Sequence, residues 1–489
     1  MTRPDRTRAE GTAGWRRGRT GPLDEGWQVA QTSLTFGADN SSVADQTRSD
    51  IALLYRRAGF GIRPDELDAL TGAGYNAAVD GLLAGLGSAP DPGGDSVTVP
   101  VFHIYQRPPK NFTQAQRKAA DAVYATELRD LQDWWLNRMI KTSTPLREKL
   151  TLFWHGHFAT GVVKVRDAKL MYLQNQLLRT TGAGPFDQLV QAVAKDGAMM
   201  VWLDTATDVK DHPNENFARE MMELFTLGVN NYTQDDVVAG ARAFTGWRYD
   251  RLAYEYRFVP RLHDYGSKTY LGQTGDWNGE DAVNIAVRNP VSPRFVMAKL
   301  WSHFAYPVTP AEPVITDLVA AYGPSMNLTS ALEAMFKHDA FRTATTRTNL
   351  VKQPIEYLAG AARALGLDAT ADRTGSSPSH GSGRPLAVIA TALGQTPFNP
   401  PNVGGWGQNA YWLDTSTALV RQEAALFLAM RADLTSIGSI PPSQRPAAVA
   451  RMLSIDGFGP TTMTALAAAQ TNPVQLMALA LASPEYVLA

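Results

Sequence analysis

From Ile51 to Leu488 apolar residues recur at three- and four-residue spacing, with proline where a helix would open and glycine where one would end. Ile51, Leu53, Leu54, Tyr55 and Ala58 make the first such run; Gly59 and Gly61 close it, and Pro64 opens the next. Three short helices are expected over 48–86, then a long amphipathic helix over 114–141 and others near 166–180, 184–195, 213–227 and 233–247. Thr144 before Pro145, and Thr233 with Asp236 three residues on, read as N-caps. Only the stretch around Tyr254, Tyr256 and Phe258 alternates with a period of two, as a strand does. The expectation is a mainly α, large multi-helix globular fold with a small β-hairpin inserted near 252–272. No fixed-period repeat is visible, which disfavours a solenoid.

Residues 1–47 mix Arg3, Arg6, Arg8, Arg16, Arg17 and Arg19 with Gly, Ser and Thr and lack periodicity, so they read as a disordered basic arm. Residues 48–368 read as a helical core carrying the hairpin. The segment 369–385, which contains TGSSPSHGSG, reads as a flexible linker or loop, and 386–489 as a C-terminal helical part packed on the core.

Composition narrows the functional classes. A formal net charge of −1 over 489 residues lacks the broad basic footprint that nucleic-acid backbones require. Arg16-Arg17 is followed by polar and glycine residues where an export signal needs an apolar segment, and no run is long and apolar enough to span a membrane. A cytoplasmic protein, or one exported with a partner, is expected. The absence of cysteine excludes disulfides, thiolate catalysis and cysteine-held metals. There is no Walker loop, Rossmann glycine fingerprint, H-E-x-x-H or G-x-S-x-G elbow.

The densest chemistry lies in DHPNENFAREMMELFTLG, from Asp211 to Gly228. With Pro213 at the first helical position, Phe217, Met221, Leu224 and Phe225 form an apolar stripe, and His212, Asn216, Arg219, Glu220 and Glu223 gather opposite. Two carboxylates beside an arginine can have their pKa values driven apart, as acid–base catalysis requires; an ordinary surface pair between Arg219 and Glu223, with His212 as a cap, is the plainer reading. In LFWHGHFAT, His155 and His157 share a face if the chain is extended and point apart if the helix persists. With a nearby carboxylate they would make a metal set; otherwise they are core histidines. His263-Asp264 with Lys268 reads as an oriented imidazole or as a polar turn. The loop FNPPNVGGW brings Asn402 and Trp406, with Trp412 beyond it, as candidates for ligand contact and stacking, although most tryptophans simply pack.

Seven segments together resemble the bacterial family catalogued as domain of unknown function 1800. They are YRRAGFG from Tyr55, LFWHGHFAT from Leu152, HPNENFAREMMELFTLG from His212, ARAFTGW from Ala241, KTYLGQTG from Lys268, PPNVGGW from Pro400 and ASPEYVL from Ala482. The resemblance runs from about Asp50 to Ala489 and implies no reaction; it implies a neighbouring sulfatase-like protein as a partner. Three functions stand at this point. One is a hydrolase or group-transfer enzyme acting on a carbohydrate or ester, with Glu220 or Glu223 as acid or base, Arg219 and Asn216 holding the substrate, and His155 and His157 opposite across a cleft rimmed by Trp406. The second is a non-catalytic binding or escort protein for the sulfatase-like partner. The third is a metal-dependent oxidoreductase. The cofactor is open, a divalent metal and none being equally expected, and the substrate is a small molecule or saccharide.

Overall fold

A computed structural model describes residues 43–87, 89–103, 112–371 and 385–488. The architecture follows from one buried helix, Pro145–His157. Thr144 stands at its N-cap and Pro145, whose missing N–H is no loss at a helix start, at its first position. All of its residues except Gly156 are buried, so it is packed on every side rather than along one stripe. Leu146, Leu150, Phe153 and Trp154 enter one apolar cluster and Leu152 a second. Each large apolar side chain so buried contributes about 1.5–3 kcal/mol.

The first cluster gathers the opening helices Val43–Arg57, Pro64–Ala73 and Tyr75–Ala84 with helices between Phe186 and Lys337. The second joins the last turns of Gln114–Lys141 to Pro354–Leu365, Thr415–Arg431 and Pro473–Ala482. Residues from both sides of the expected linker therefore share one core, and the described chain from Val43 onward forms one compact unit. The linker's segment 372–384 and most of the basic arm lie outside the described residues; the first helix opens at Val43, a few residues before the expected end of the arm.

Helix starts agree closely with local chemistry. Thr113 and Gln116 form a capping box before Gln114–Lys141, and Thr233 accepts from the Asp236 N–H while Asp236 accepts from that of Thr233. The fold is mainly α with a small antiparallel β insertion, as expected, and the insertion consists of two hairpins rather than one. Trp247–Asp250 pairs antiparallel with Glu255–Phe258, Trp247 facing Phe258, and Lys268–Tyr270 pairs with Gln273–Gly275. Tyr254, expected in a strand, has φ 57 and sits in the first turn. Leu271 and Gly272, both at positive φ, close the second hairpin in two residues, the geometry that suits strand twist. Among the described residues no helix is long and apolar enough to cross a membrane.

Candidate functional site

The buried helix carries polar groups that must each find a partner. Glu148 accepts from Arg179 Nε at 2.6 Å and Nη2 at 2.9 Å, from Arg138 Nε at 3.3 Å and from Trp135 Nε1 at 3.2 Å. Arg147 donates to the carbonyls of Gly87 and Ala89, and Lys149 to that of Gly59 and, at 2.9 Å, to Glu356. The histidines are different. As the helix persists, His155 and His157 point apart. His155 lies against Trp135, Phe398 and Trp406, its ring driven by burial to a pKa of about 3 and its Nε2 without a partner. His157 donates from Nε2 to the Phe225 carbonyl at 3.0 Å, which leaves Nδ1 a bare, buried acceptor. Burial and then nearby Lys299 hold this imidazole neutral, well below its ordinary pKa.

The carbonyl that His157 meets belongs to an irregular segment. The expected 213–227 helix starts later, at Glu215, with Asn214 as its cap in place of His212, and from Met221 to Thr226 it widens into a π-turn. Leu227 N reaches back five residues to Met222 O at 2.8 Å. His157 thus contacts the buried side of this helix. Asn216, Arg219, Glu220 and Glu223 lie on its more exposed side, and His212 is exposed. Arg219 pairs with Glu215 at 2.9 Å, not with Glu223, and the Tyr232 hydroxyl donates to Glu223. Burial, and then the Glu223 charge, raise Glu220 to about 7. The helix turns its apolar side toward His157, through Phe225, while His155 packs elsewhere, so the polar face does not oppose the two histidines across a cleft.

A cavity of about 210 Å³ does open beside His157. Its wall includes Phe153, Gly156, His157, Lys299, His303, Gln353, Trp406 and Gln408. Among the described residues no carboxylate belongs to that wall. Helix Ser292–Phe304 supplies Lys299 and His303 one turn apart. Lys299 is partly buried beside the Phe295 ring at 5.0 Å, and among the described residues it has no carboxylate or hydrogen-bond partner. Burial lowers its pKa from the ordinary lysine value. His303 is held neutral, at about 4, by burial that outweighs Glu356, and its Nε2 has no partner. Trp406 Nε1 is likewise buried without an acceptor. Gln353 receives the Gln395 amide on Oε1 at 2.7 Å, so its own –NH2 is the group left to donate.

Trp406 reaches the cavity because its loop lies on glycine. Asn402 accepts from Gly404 N at 2.8 Å and tightens the turn. Gly405 has φ +81, and a Cβ there would stand 2.2 Å from the Gly156 carbonyl oxygen. Gly405→Ala is therefore expected to cost at least the ~1–3 kcal/mol of a strained backbone and to unseat Trp406, read as a lowered urea midpoint with altered tryptophan fluorescence.

Among the remaining candidates, Trp412 is 1% exposed, so it packs rather than stacks on a ligand. Asn402 is exposed and shapes the turn. His263 is buried between Phe258 and Tyr265 and bonds the Thr245 carbonyl through Nδ1 at 2.8 Å. Asp264 pairs with Arg242 at 2.7 Å instead of orienting His263, and buried Lys268 is held by the Asp264 carbonyl and, at 3.3 Å, by Asp276. This trio is a polar turn that stitches the second hairpin to helix Gln234–Phe244. Among the described residues no three His, Asp or Glu side chains come together as a metal would require.

The family model described as "Protein of unknown function (DUF1800)" matches residues 53–488. The chain belongs to the DUF1800 family. The match takes in every residue of the cavity wall, from Leu152 to Gln408. No curated protein and no solved structure matches this DUF1800 chain. Lys299, His303 and Gln353 were not among the sequence candidates. The signal for the first two was present in KLWSHF, where a lysine and a histidine stand four apart on a helix whose other side is Val296, Met297, Leu300, Trp301 and Phe304.

Proposed function

We propose that the chain is a hydrolase or group-transfer enzyme whose reacting group is the Lys299 amine, acting on an ester, including the ester of a sugar. The observation that carries this reading is the set of unanswered polar groups on one cavity wall: an unpaired lysine with lowered pKa, the bare Nδ1 of His157, the unpartnered Nε2 of His303 and the unpartnered Nε1 of Trp406. Buried polar atoms left without partners in a folded protein call for an explanation, and a bound ligand supplies one. Burial lowers the Lys299 pKa, so its amine gives up its proton more readily than an ordinary lysine, which is what a general base requires. Lys299 Nζ takes a proton from water as the water oxygen adds to the ester carbonyl carbon. The carbonyl oxygen then carries the negative charge and receives hydrogen bonds from the Gln353 amide and the Trp406 indole. Collapse of the intermediate breaks the bond to the alcohol oxygen, which leaves with the proton from Lys299. Trp406 offers its ring face to a sugar or other flat apolar group.

Among the described residues the cavity wall offers no carboxylate pair of the kind glycoside hydrolysis uses, and we therefore propose esters ahead of glycosides. Turnover across panels of acyl esters and glycosides tests the reading. An ester activity lost in Lys299→Met and kept in Glu223→Gln supports it; an activity that needs Glu223 and ignores Lys299 contradicts it. Ligand binding at the cavity with no turnover of any panel member would point instead to a binding or escort protein.

A further inference from the structure

Behind the cavity lies a second, smaller space of about 20 Å³ among Arg57, Lys149, Lys352, His303 and Glu356. Arg56, Arg57, Lys149 and Lys352 are at most 7% exposed, and among the described residues Glu356 is the only carboxylate on the wall. Lys149 takes that carboxylate at 2.9 Å. Among the described residues Lys352 has only the Tyr486 carbonyl, at 2.7 Å, and the face of the Tyr486 ring. Arg57 donates to the Thr346 carbonyl and leaves Nε unpaired; Arg56 donates to the Ser454 carbonyl, leaves Nε unpaired and reaches Asp456 only at 3.9 Å, and Asp456 is shared with Arg347 at 3.3 Å. His303 Nε2 stands 3.9 Å from Glu356, beyond hydrogen-bond reach. Several positive charges are thus buried around a cavity with one negative charge between them. Buried charge is costly unless paired, and here the pairing is incomplete. The strain shows in the lowered pKa values of Arg57 and Lys352, caused by burial first and by neighbouring cations second.

We propose that this space is an oxyanion subsite, which takes the head of a carboxylate, sulfate or phosphate between Arg57, Lys149 and Lys352. The volume exceeds the ~10–15 Å³ that one water needs, which suits one or two oxygens of such a head with the remainder directed outward. The subsite stands independently of the reading of Lys299, since none of its three cations lines the larger cavity. His303, Gln353 and Gln408 wall both spaces, so a molecule held here by its anionic end extends toward Lys299.

The test is thermal unfolding of the full chain, titrated separately with sodium acetate, sulfate and phosphate and compared with Lys352→Met, Arg57→Met and Lys299→Met. Wild type and Lys299→Met should show a saturable rise in Tm with at least one of the three salts. The saturable rise should vanish in Lys352→Met and Arg57→Met. Without added anion, Lys352→Met should unfold at or above the wild-type temperature, because an apolar group replaces an unpaired buried cation; a lysine serving only to brace the Tyr486 carbonyl would give a lower one. Sulfate also stabilises folded proteins in general, without saturation. Equal, unsaturating rises in wild type and the two cation variants would overturn the proposal. Should both variants fail to fold, calorimetric titration of wild type with sulfate and phosphate decides: one anion per chain supports it, and none contradicts it. The salt with the lowest half-saturating concentration identifies the head.

Discussion

Glu148→Ala is expected to destabilise the protein by about 3–5 kcal/mol, the range for removing one partner of a buried ion pair. Glu148 is fully buried between Arg138 and Arg179, themselves only 5% exposed. Its loss leaves Arg179 without its carboxylate and Arg138 with only Asp91, Asp95 and the Gly94 carbonyl. Urea unfolding should show a lower midpoint, whereas replacing Arg138, Glu148 and Arg179 together with apolar residues of similar size should recover much of the loss. The pH dependence has a fixed sign. Burial raises the Glu148 pKa, but Arg179 and then Arg138 outweigh it, and the net shift is downward. A carboxylate with a depressed folded pKa contributes stability that is present above its unfolded value of about 4.3 and is lost as pH falls through the folded one. Wild type should therefore lose this contribution only in acid, and Glu148→Ala should show a correspondingly weaker dependence there.

Lys299→Met should lower kcat by about 10²–10⁴, the usual worth of a positioned general base, with a smaller effect on KM. Methionine keeps the length and apolar stem, so packing against Phe295 should persist and the urea midpoint should move little. Lys299→Arg is the sharper variant. It retains a positive charge that could hold an anionic group, yet a guanidinium does not give up its proton in the working pH range. Activity lost in both variants identifies proton transfer as the role; activity retained in Lys299→Arg assigns Lys299 to electrostatic binding. In wild type kcat should rise with pH through the lowered Lys299 pKa as the free amine forms.

Much of the fold is legible in local chemistry. Thr233 with Asp236, Pro145 after Thr144 and the turns around Gly59 and Gly61 mark helix boundaries because capping is decided within a few residues. The hairpin region divides differently because the two-residue turn at Leu271-Gly272 needs positive φ, which alternation of Tyr254, Tyr256 and Phe258 does not encode. The site is legible only where a segment is rich in itself. LFWHGHFAT and NVGGW carry His157 and Trp406 into the cavity. Lys299 and His303, however, come from a separate helix, and what makes Lys299 notable is the missing carboxylate, a property of tertiary packing. The same limit applies in reverse to His212, Asn216, Arg219, Glu220 and Glu223. Asn216, Arg219, Glu220 and Glu223 do lie on the more exposed side of their helix, and the opposite stripe turns them away from His157, whereas His212 precedes the helix.

Trace acylation of the native chain across a pH series, followed by peptide mapping, tests most directly whether Lys299 is the unpaired amine of a reactive cavity. Lys299 should be acylated ahead of exposed Lys118 and Lys141 near neutral pH, with a half-titration below the ~10.4 of an ordinary lysine, as its burial dictates. A Lys299 that titrates with Lys118 and reacts no faster would contradict it.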